Sequence, residues 1–228
     1  MNPSASAVAE VLERHRRILL FGEPGVGKST LVTNLACKLA ERGHSCQCVS
    51  GDPGSPAFGP PGAVSLASWS DAKWQLITLE PVCTLDAARY RLPLIRALER
   101  LMANADAQAT ILFDPPGLVR GAAAAELLLS LCECVEVDAI IVLTRNERET
   151  PLRDELLASG AQIYSLAAAE EAKRPVKRER ERYRTRQWNQ FLLHACEDVV
   201  DLDDLRVIGM PPTGEQWRGR QVALLKDG

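Results

Sequence analysis

The chain has 228 residues, with 46% hydrophobic and 25% charged residues, so disorder, collagen and coiled coil are excluded as its main state. The formal net charge of −3 argues against nucleic-acid binding through overall charge and leaves only a local basic patch for that purpose. No apolar run reaches the ~18 residues a bilayer span needs. The N-terminal stretch carries charges where a signal peptide needs an apolar core, so no membrane is expected. The seven cysteines are odd in number and fit a reduced, cytoplasmic setting. Cys46-x-Cys48 and Cys132-x-Cys134 lack the two-residue spacing of a usual zinc knuckle and read as ordinary thiols.

In chain order, the apolar run Arg17 to Phe21 predicts a buried strand ending in a glycine-rich turn. Lys28 to Arg42 follows as a helix, with Leu31, Leu35 and Leu39 on one face and Gly43 as a stop. Gln47 to Ser50 is a second strand, and it opens into a Gly/Pro-dense loop from Gly51 to Gly62. Leu76 to Leu79 is expected as a strand and Leu85 to Asn104 as a helix that Pro93 breaks or kinks. Strand Thr110 to Phe113, helix Ala122 to Cys132, strand Ala139 to Leu143, helix Leu152 to Ala158 and strand Gln162 to Tyr164 come next. Apolar strands alternating with helices predict an α/β fold, a mostly parallel sheet with helices on both faces. A basic helical stretch begins near Lys173. The short strands Val199-Val200, Leu205 to Ile208 and Gln221 to Leu225 then predict a small C-terminal β appendage. The organisation expected is a domain over residues 1–195, its last helix at about 173–195, and a β segment over 196–228. A further strand would be natural after Lys226-Asp227-Gly228, so the sequence reads as cut short.

One motif is specific. Gly22-Glu23-Pro24-Gly25-Val26-Gly27-Lys28-Ser29 fits G-x-x-x-x-G-K-[ST] between a strand and a helix, the P-loop of nucleoside-triphosphate binders. Backbone N–H groups of Gly22 to Thr30 would cradle phosphates at a helix N-terminus. Lys28 would place its charge between the β- and γ-phosphates, and the Ser29 hydroxyl would ligate Mg²⁺. Asp52 and Asp114 follow predicted strands, at the sheet edge where α/β proteins bind ligands. Asp114 is the natural Mg²⁺ partner, and Asp52 either holds a Mg²⁺-bound water or acts as general base. Glu23 stands where ParA-type ATPases carry a second lysine, which argues against partitioning.

Between Lys173 and Arg186 there are eight Lys or Arg and two Glu. Arg174, Arg178, Arg182 and Arg186 form an i, i+4 ladder of like charge, which does not stabilise a helix. Arginines on a mobile lid could instead close over a triphosphate and neutralise the transferring group. Pro175 suits the first turn of such a helix.

With these parts in order, the chain resembles the P-loop polynucleotide 5′-hydroxyl kinases, which include eukaryotic factors of pre-mRNA cleavage and ribosomal-RNA processing and archaeal relatives. The resemblance runs over roughly residues 17–225. Val49-Ser50-Gly51-Asp52-Pro53-Gly54 is similar to the family's D-x-D-x-G-Q, and Pro61 to Leu66 to its P-G-T segment. Asp114-Pro115-Pro116-Gly117-Leu118-Val119-Arg120-Gly121 is similar to N-T-x-G-W-V-x-G, and Val137 to Leu143 with Glu147-Arg148 to V-D-x-x-x-V-L…E-R-L. The arginine helix falls where the family has its lid, with Arg182-x-x-x-Arg186 matching R-x-x-x-R. The segments Leu205 to Gly209 and Gln221 to Leu225 look like the start of its C-terminal β region.

The resemblance implies an ATP- and Mg²⁺-dependent phosphotransferase acting on the 5′-hydroxyl end of RNA or DNA. It implies Lys28 and Ser29 at the phosphates and metal, Asp52 activating the hydroxyl, and Arg182 and Arg186 as lid arginines. Departures lie on the acceptor side: Ser50 for the first Asp, Ser55 for Gln, Pro115 for Thr and Leu118 for Trp. Two other readings remain open at this point. One is a regulatory P-loop GTPase assisting metalloenzymes, with Asp114-Pro-Pro-Gly117 as D-x-x-G and Thr144-Arg145-Asn146-Glu147 as a degenerate [NT]-K-x-D. The other is a non-catalytic, nucleotide-bound RNA-processing subunit. Trp69, Trp74, Trp188 and Phe58 are the aromatic candidates for base stacking.

Overall fold

The structure, a computed structural model, describes residues 3–145, 150–170, 172–173, 175–197, 201 and 223. One sheet of seven strands organises them, in the order β4-β3-β2-β5-β1-β6-β7. The strands are β1 (Arg17–Phe21), β2 (Cys46–Ser50), β3 (Ala63–Ser70), β4 (Lys73–Pro81), β5 (Thr110–Asp114), β6 (Ala139–Thr144) and β7 (Gln162–Ala167). The helices are α1 (Pro3–Arg14), α2 (Lys28–Glu41), α3 (Arg91–Met102), α4 (Ala122–Cys134), α5 (Arg153–Ala158) and α6 (Lys177–Phe191). No helix among these residues is long and apolar enough to cross a membrane.

The central strands are buried on both faces, as helix-covered parallel strands must be. Their side chains alternate between two cores. Ile18 and Leu20 of β1 join Leu112, Ile141, Leu35 and Leu39 on the face covered by α1 and α2. Leu19 and Phe21 join Phe113, Ile140, Leu94, Leu98 and Leu127 on the face covered by α3, α4 and α5. The carboxylate of Asp138, at the start of β6, accepts the backbone N–H groups of Arg16 (2.8 Å) and Arg17 (3.0 Å). This polar pin fixes the register of β1 against β6, where Ile18 faces Ala139.

The predicted elements recur with differences that have physical causes. The sheet is parallel through β2, β5, β1, β6 and β7, but β3 and β4 form an antiparallel hairpin at one edge. Only Leu76 to Leu79 of that hairpin was expected. Its turn uses Asp71 and Ala72 at positive φ, 51° and 56°, and so lacks the glycine or asparagine that would announce it. Helix α3 starts at Arg91 rather than Leu85. Pro93 is its third residue, where no intrahelical N–H is required, so it neither breaks nor kinks the helix. α1 precedes the first predicted element. α6 starts at Lys177 with Val176 as N-cap, which puts Pro175 outside the first turn. Cys46 and Cys48 are buried in β2, where loss of water pushes the Cys46 thiol up to about 12. Residues 146–149, Arg174, 198–200, 202–222 and 224–228 lie outside the described residues. So do, with them, Glu147-Arg148, the first rung of the arginine ladder and the predicted C-terminal strands.

Candidate active site

The P-loop leaves the C-terminal end of β1 at the centre of the sheet. Gly27, at φ 98°, makes the left-handed step that turns the loop into α2, a conformation other residues rarely adopt. Val26 is buried and anchors the loop in the α2-side core, while Ser29 and Thr30 at the first helical turn are exposed. Lys28 is buried, and its Nζ donates to the carbonyls of Gly22 (2.9 Å) and Glu23 (3.3 Å). Burial pulls its pKa down, and the carboxylates of Asp114 and Asp52 pull it back up. The loop is thus a preformed cradle with an inward lysine and free backbone N–H groups at a helix start, which suits a polyphosphate.

Asp114 ends β5, fully in register with Ser50 of β2. Its Oδ2 accepts the Ser29 hydroxyl at 2.5 Å. Burial raises its pKa to about 6, against the pull of Lys28 and Ser29. Past Asp114 the chain presses onto the P-loop. A Cβ on Gly117 would lie 2.7 Å from Pro24 Cγ, so only glycine fits there. Arg120 of the same segment pairs with Glu23 at 3.0 Å.

Asp52 follows β2 and starts a tight turn: its Oδ1 accepts the N–H groups of Gly54 (2.9 Å) and Ser55 (3.2 Å). That leaves Oδ2 for a partner. Burial raises the carboxyl's pKa, opposed by those N–H groups and by the charges of Lys28 and Arg180. Asp52 lines a cleft of about 400 Å³ with Pro24, the Thr84–Ala88 turn and Pro116, Gly117 and Leu118. A carboxylate in the wall of a cleft, beside the phosphate cradle and with a raised pKa, is placed to take a proton from a bound hydroxyl.

The arginine helix lies over the Asp52 loop, but with another face than the ladder suggested. Arg178, Arg182 and Arg186 are exposed. Arg180, Tyr183, Arg184 and Gln187 face the loop: Tyr183 Oη donates to the Pro56 carbonyl at 2.7 Å and Arg184 Nη1 to the Gly54 carbonyl at 3.4 Å. Two residues along a helix is a rotation of roughly 200°, so Arg182 and Arg186 point nearly opposite to Arg180 and Arg184. Both pairs have the spacing R-x-x-x-R, so spacing could not choose between them. The aromatic Tyr183 between Arg180 and Arg184 was the signal for the docked face. Arg180 Nε is shielded from solvent without a hydrogen-bond partner, close enough for its charge to act on Asp52.

Arg145 was weighed in the sequence only as part of a guanine-reading motif. Its guanidinium instead donates to the carbonyls of Gly25 (3.1 Å) and Ala172 (2.6 Å), tying the P-loop to the segment that leads into α6. Of the aromatic candidates, Trp69 and Trp74 meet edge to face at 4.8 Å where β3 passes the start of β2, the sheet edge opposite Asp52. Phe58 packs against Trp74, and Trp188 sits on α6 beside Phe191.

Parts of the chain match known protein families. Residues 88–194 match the family described as mRNA cleavage and polyadenylation factor CLP1 P-loop, and residues 1–55 match novel STAND NTPase 3. Over residues 88–194 the chain is similar to the CLP1-type P-loop proteins. A polyribonucleotide 5′-hydroxyl-kinase of Pyrococcus furiosus is 27% identical over 207 residues, covering 87% of this chain and 56% of that protein. One of Methanocaldococcus jannaschii is 28% identical over 200 residues, covering 85% and 54%. The chain therefore spans a little over half the length of these relatives. Two solved structures share the fold at 15% identity. One is of a wild-type Clp1p–Pcf11p complex, with TM-score 0.69 over 83% of this chain and 54% of that one. The other concerns an extended Pcf11p–Clp1p interface and ATP loss in a point mutant, with TM-score 0.70 over 87% and 56%. The fold is that of an α/β P-loop NTPase, as the motifs implied.

Proposed function

We propose that the chain is a polynucleotide 5′-hydroxyl kinase that moves the γ-phosphate of ATP to the 5′-OH end of RNA or DNA. One observation carries the reading: Asp52 stands in a cleft wall directly beside the P-loop, within the electrostatic reach of both Lys28 and Arg180. The turn it caps uses only Oδ1, and the side chain lines a cleft that a phosphoryl acceptor could enter. The relatives named polyribonucleotide 5′-hydroxyl-kinases support the same substrate class.

The residues divide the work as follows. The backbone N–H groups of the glycine-rich turn and of the first turn of α2 hold the phosphate chain, and Lys28 leaves its two carbonyls to bridge the β- and γ-phosphates. Ser29 and Asp114 fit a Mg²⁺ ion: they are hard oxygen donors already 2.5 Å apart, and Mg²⁺ takes few protein ligands besides phosphate and water. Bound there, the ion would neutralise charge on the phosphates. Asp52 accepts the acceptor's hydroxyl proton as that oxygen bonds to the γ-phosphorus and the bond to the β-phosphate oxygen breaks. Arg180, with an N–H awaiting an acceptor, and Arg184 supply positive charge on the open side. On this reading they take the part that the sequence assigned to Arg182 and Arg186.

The test is transfer of labelled γ-phosphate to 5′-OH oligoribonucleotides and oligodeoxynucleotides, with ATP and GTP compared and Mg²⁺ present or chelated. Label on the 5′ end that depends on ATP and Mg²⁺ supports the reading. Nucleotide binding with no transfer to any 5′-OH end would overturn it in favour of a non-catalytic subunit.

A further inference from the structure

α6 has no buried residue, so no apolar core holds it on the domain. Its grip is polar and concentrated in one place. Tyr183 Oη donates to the Pro56 carbonyl at 2.7 Å, and Gln187 Nε2 donates to Tyr183 Oη at 2.8 Å. Gln187 also reaches the same carbonyl at 3.4 Å. The tyrosine lies one helical turn from Arg180 and next to Arg184, and its target belongs to the loop that Asp52 begins.

We propose that Tyr183, braced by Gln187, is a positioning residue of the phosphoryl-transfer site: it clamps α6 to the Asp52 loop and thereby sets Arg180 over the reacting groups. The proposal rests on the kinase reading above, because it acts through Arg180. Three observations carry it. The clasp uses two side chains on the face that carries Arg180 and Arg184. It fastens to main-chain carbonyls of the acceptor-side loop rather than to the P-loop. And Arg180 Nε is withdrawn from water with no partner in place, a costly arrangement unless an anion is to be met there. A hydrogen bond worth about 1 kcal/mol shifts a docking equilibrium about fivefold. With no core to compensate, that shift reaches α6 undiminished.

Two arms test it. Hydrogen exchange across residues 177–191, without nucleotide, should rise about three- to tenfold in Tyr183→Phe, while exchange in β1 and α2 stays as in wild type. In steady-state transfer, Tyr183→Phe should lower kcat by about three- to tenfold with the KM for ATP changed less than twofold. Gln187→Ala should do the same more weakly, and Gln187→Glu, which keeps an acceptor but loses the donor, should resemble Gln187→Ala. In an Arg180→Ala background, Tyr183→Phe should then add little, because its effect passes through Arg180. The phenylalanine variant keeps the ring and is expected to fold. Unchanged exchange in Tyr183→Phe would overturn the clasp. So would a kcat loss that multiplies fully with that of Arg180→Ala, since the tyrosine would then act on its own. If the wild-type protein transferred no phosphate, the kinase reading would fall and the proposed role with it, whereas the exchange arm would still report on the clasp alone.

Discussion

The P-loop and the arginine helix meet at one site but are built on opposite principles. The strands that carry the P-loop and Asp114 are almost wholly inaccessible, and α2 sinks Val32, Leu35, Ala36 and Leu39 into the core. α6 sinks nothing and holds on by a few polar contacts to carbonyls. The cradle is paid for by the hydrophobic effect and cannot move without unfolding the sheet. The cover costs little to lift. If the chain transfers phosphoryl groups as proposed, this division would be useful: electrostatic groups on the cradle would stay preorganised, while the cover could open to release product.

The comparison breaks most visibly at the cradle. Lys28→Ala should abolish transfer while leaving the fold intact, because the side chain removed is a desolvated charge and not a packing element. Labelled-phosphate transfer and thermal unfolding, measured together, check this. Full activity in a folded variant would dismiss phosphoryl transfer at this P-loop.

Asp52→Asn comes next. As general base, the carboxylate should be worth roughly 10²- to 10⁴-fold in kcat. The asparagine oxygen can still accept the Gly54 and Ser55 N–H groups, so the turn should persist and nucleotide affinity change little. Weakened Mg-ATP binding with a preserved rate at saturation would move Asp52 to the metal.

The two regions also differed in how legible they were. Residues 18–21 announce a doubly buried strand by an unbroken apolar run, and G-x-x-x-x-G-K-[ST] can hardly be anything but a phosphate cradle. The positions of Asp52 and Asp114 beside the P-loop were legible because both follow strands of the sheet that ends there. Burial writes periodicity into sequence, and the cradle is buried. α6 has no such imprint. Its residues are nearly all charged or polar, so the facing side had to be chosen from charge spacing, and the longer arginine ladder lies on the face that the fold leaves exposed. The β3–β4 hairpin was missed for a related reason. Its alternation at Val64 and Leu66 is short, and its turn puts Ala72, which no turn rule favours, at positive φ after Asp71, which tolerates it.

Arg180→Ala separates the two faces. By analogy with arginines that stabilise a transferring phosphoryl group, its loss should lower kcat by about 10- to 10³-fold and raise KM much less. Lysine at this position should restore only part of the rate, since it offers a point charge in place of a planar fork. Steady-state kinetics on the three proteins decides the matter. A larger effect on KM than on kcat would make Arg180 a ground-state anchor for nucleotide.

The smallest expected effect is the most discriminating. Arg182 and Arg186 stand on the exposed side of α6 among Arg178, Glu181 and Thr185, and like charges at i, i+4 on a solvated helix repel by a few tenths of a kcal/mol. Removing both should therefore leave stability within about ±0.5 kcal/mol or raise it slightly, and leave turnover of a short acceptor as in wild type. A single path lets these arginines matter without touching the site. A long acceptor could lay its phosphates along the exposed face, in which case the double Arg182→Ala, Arg186→Ala protein would lose affinity for long oligonucleotides but not for short ones, and the loss would shrink as salt rises. Measuring KM for a 5-residue and a 30-residue acceptor at two salt concentrations distinguishes a solvated face from a tracking surface. A fall in kcat on the short acceptor would do something else: it would return Arg182 and Arg186 to the reacting phosphate and require α6 to roll by about half a turn on closing.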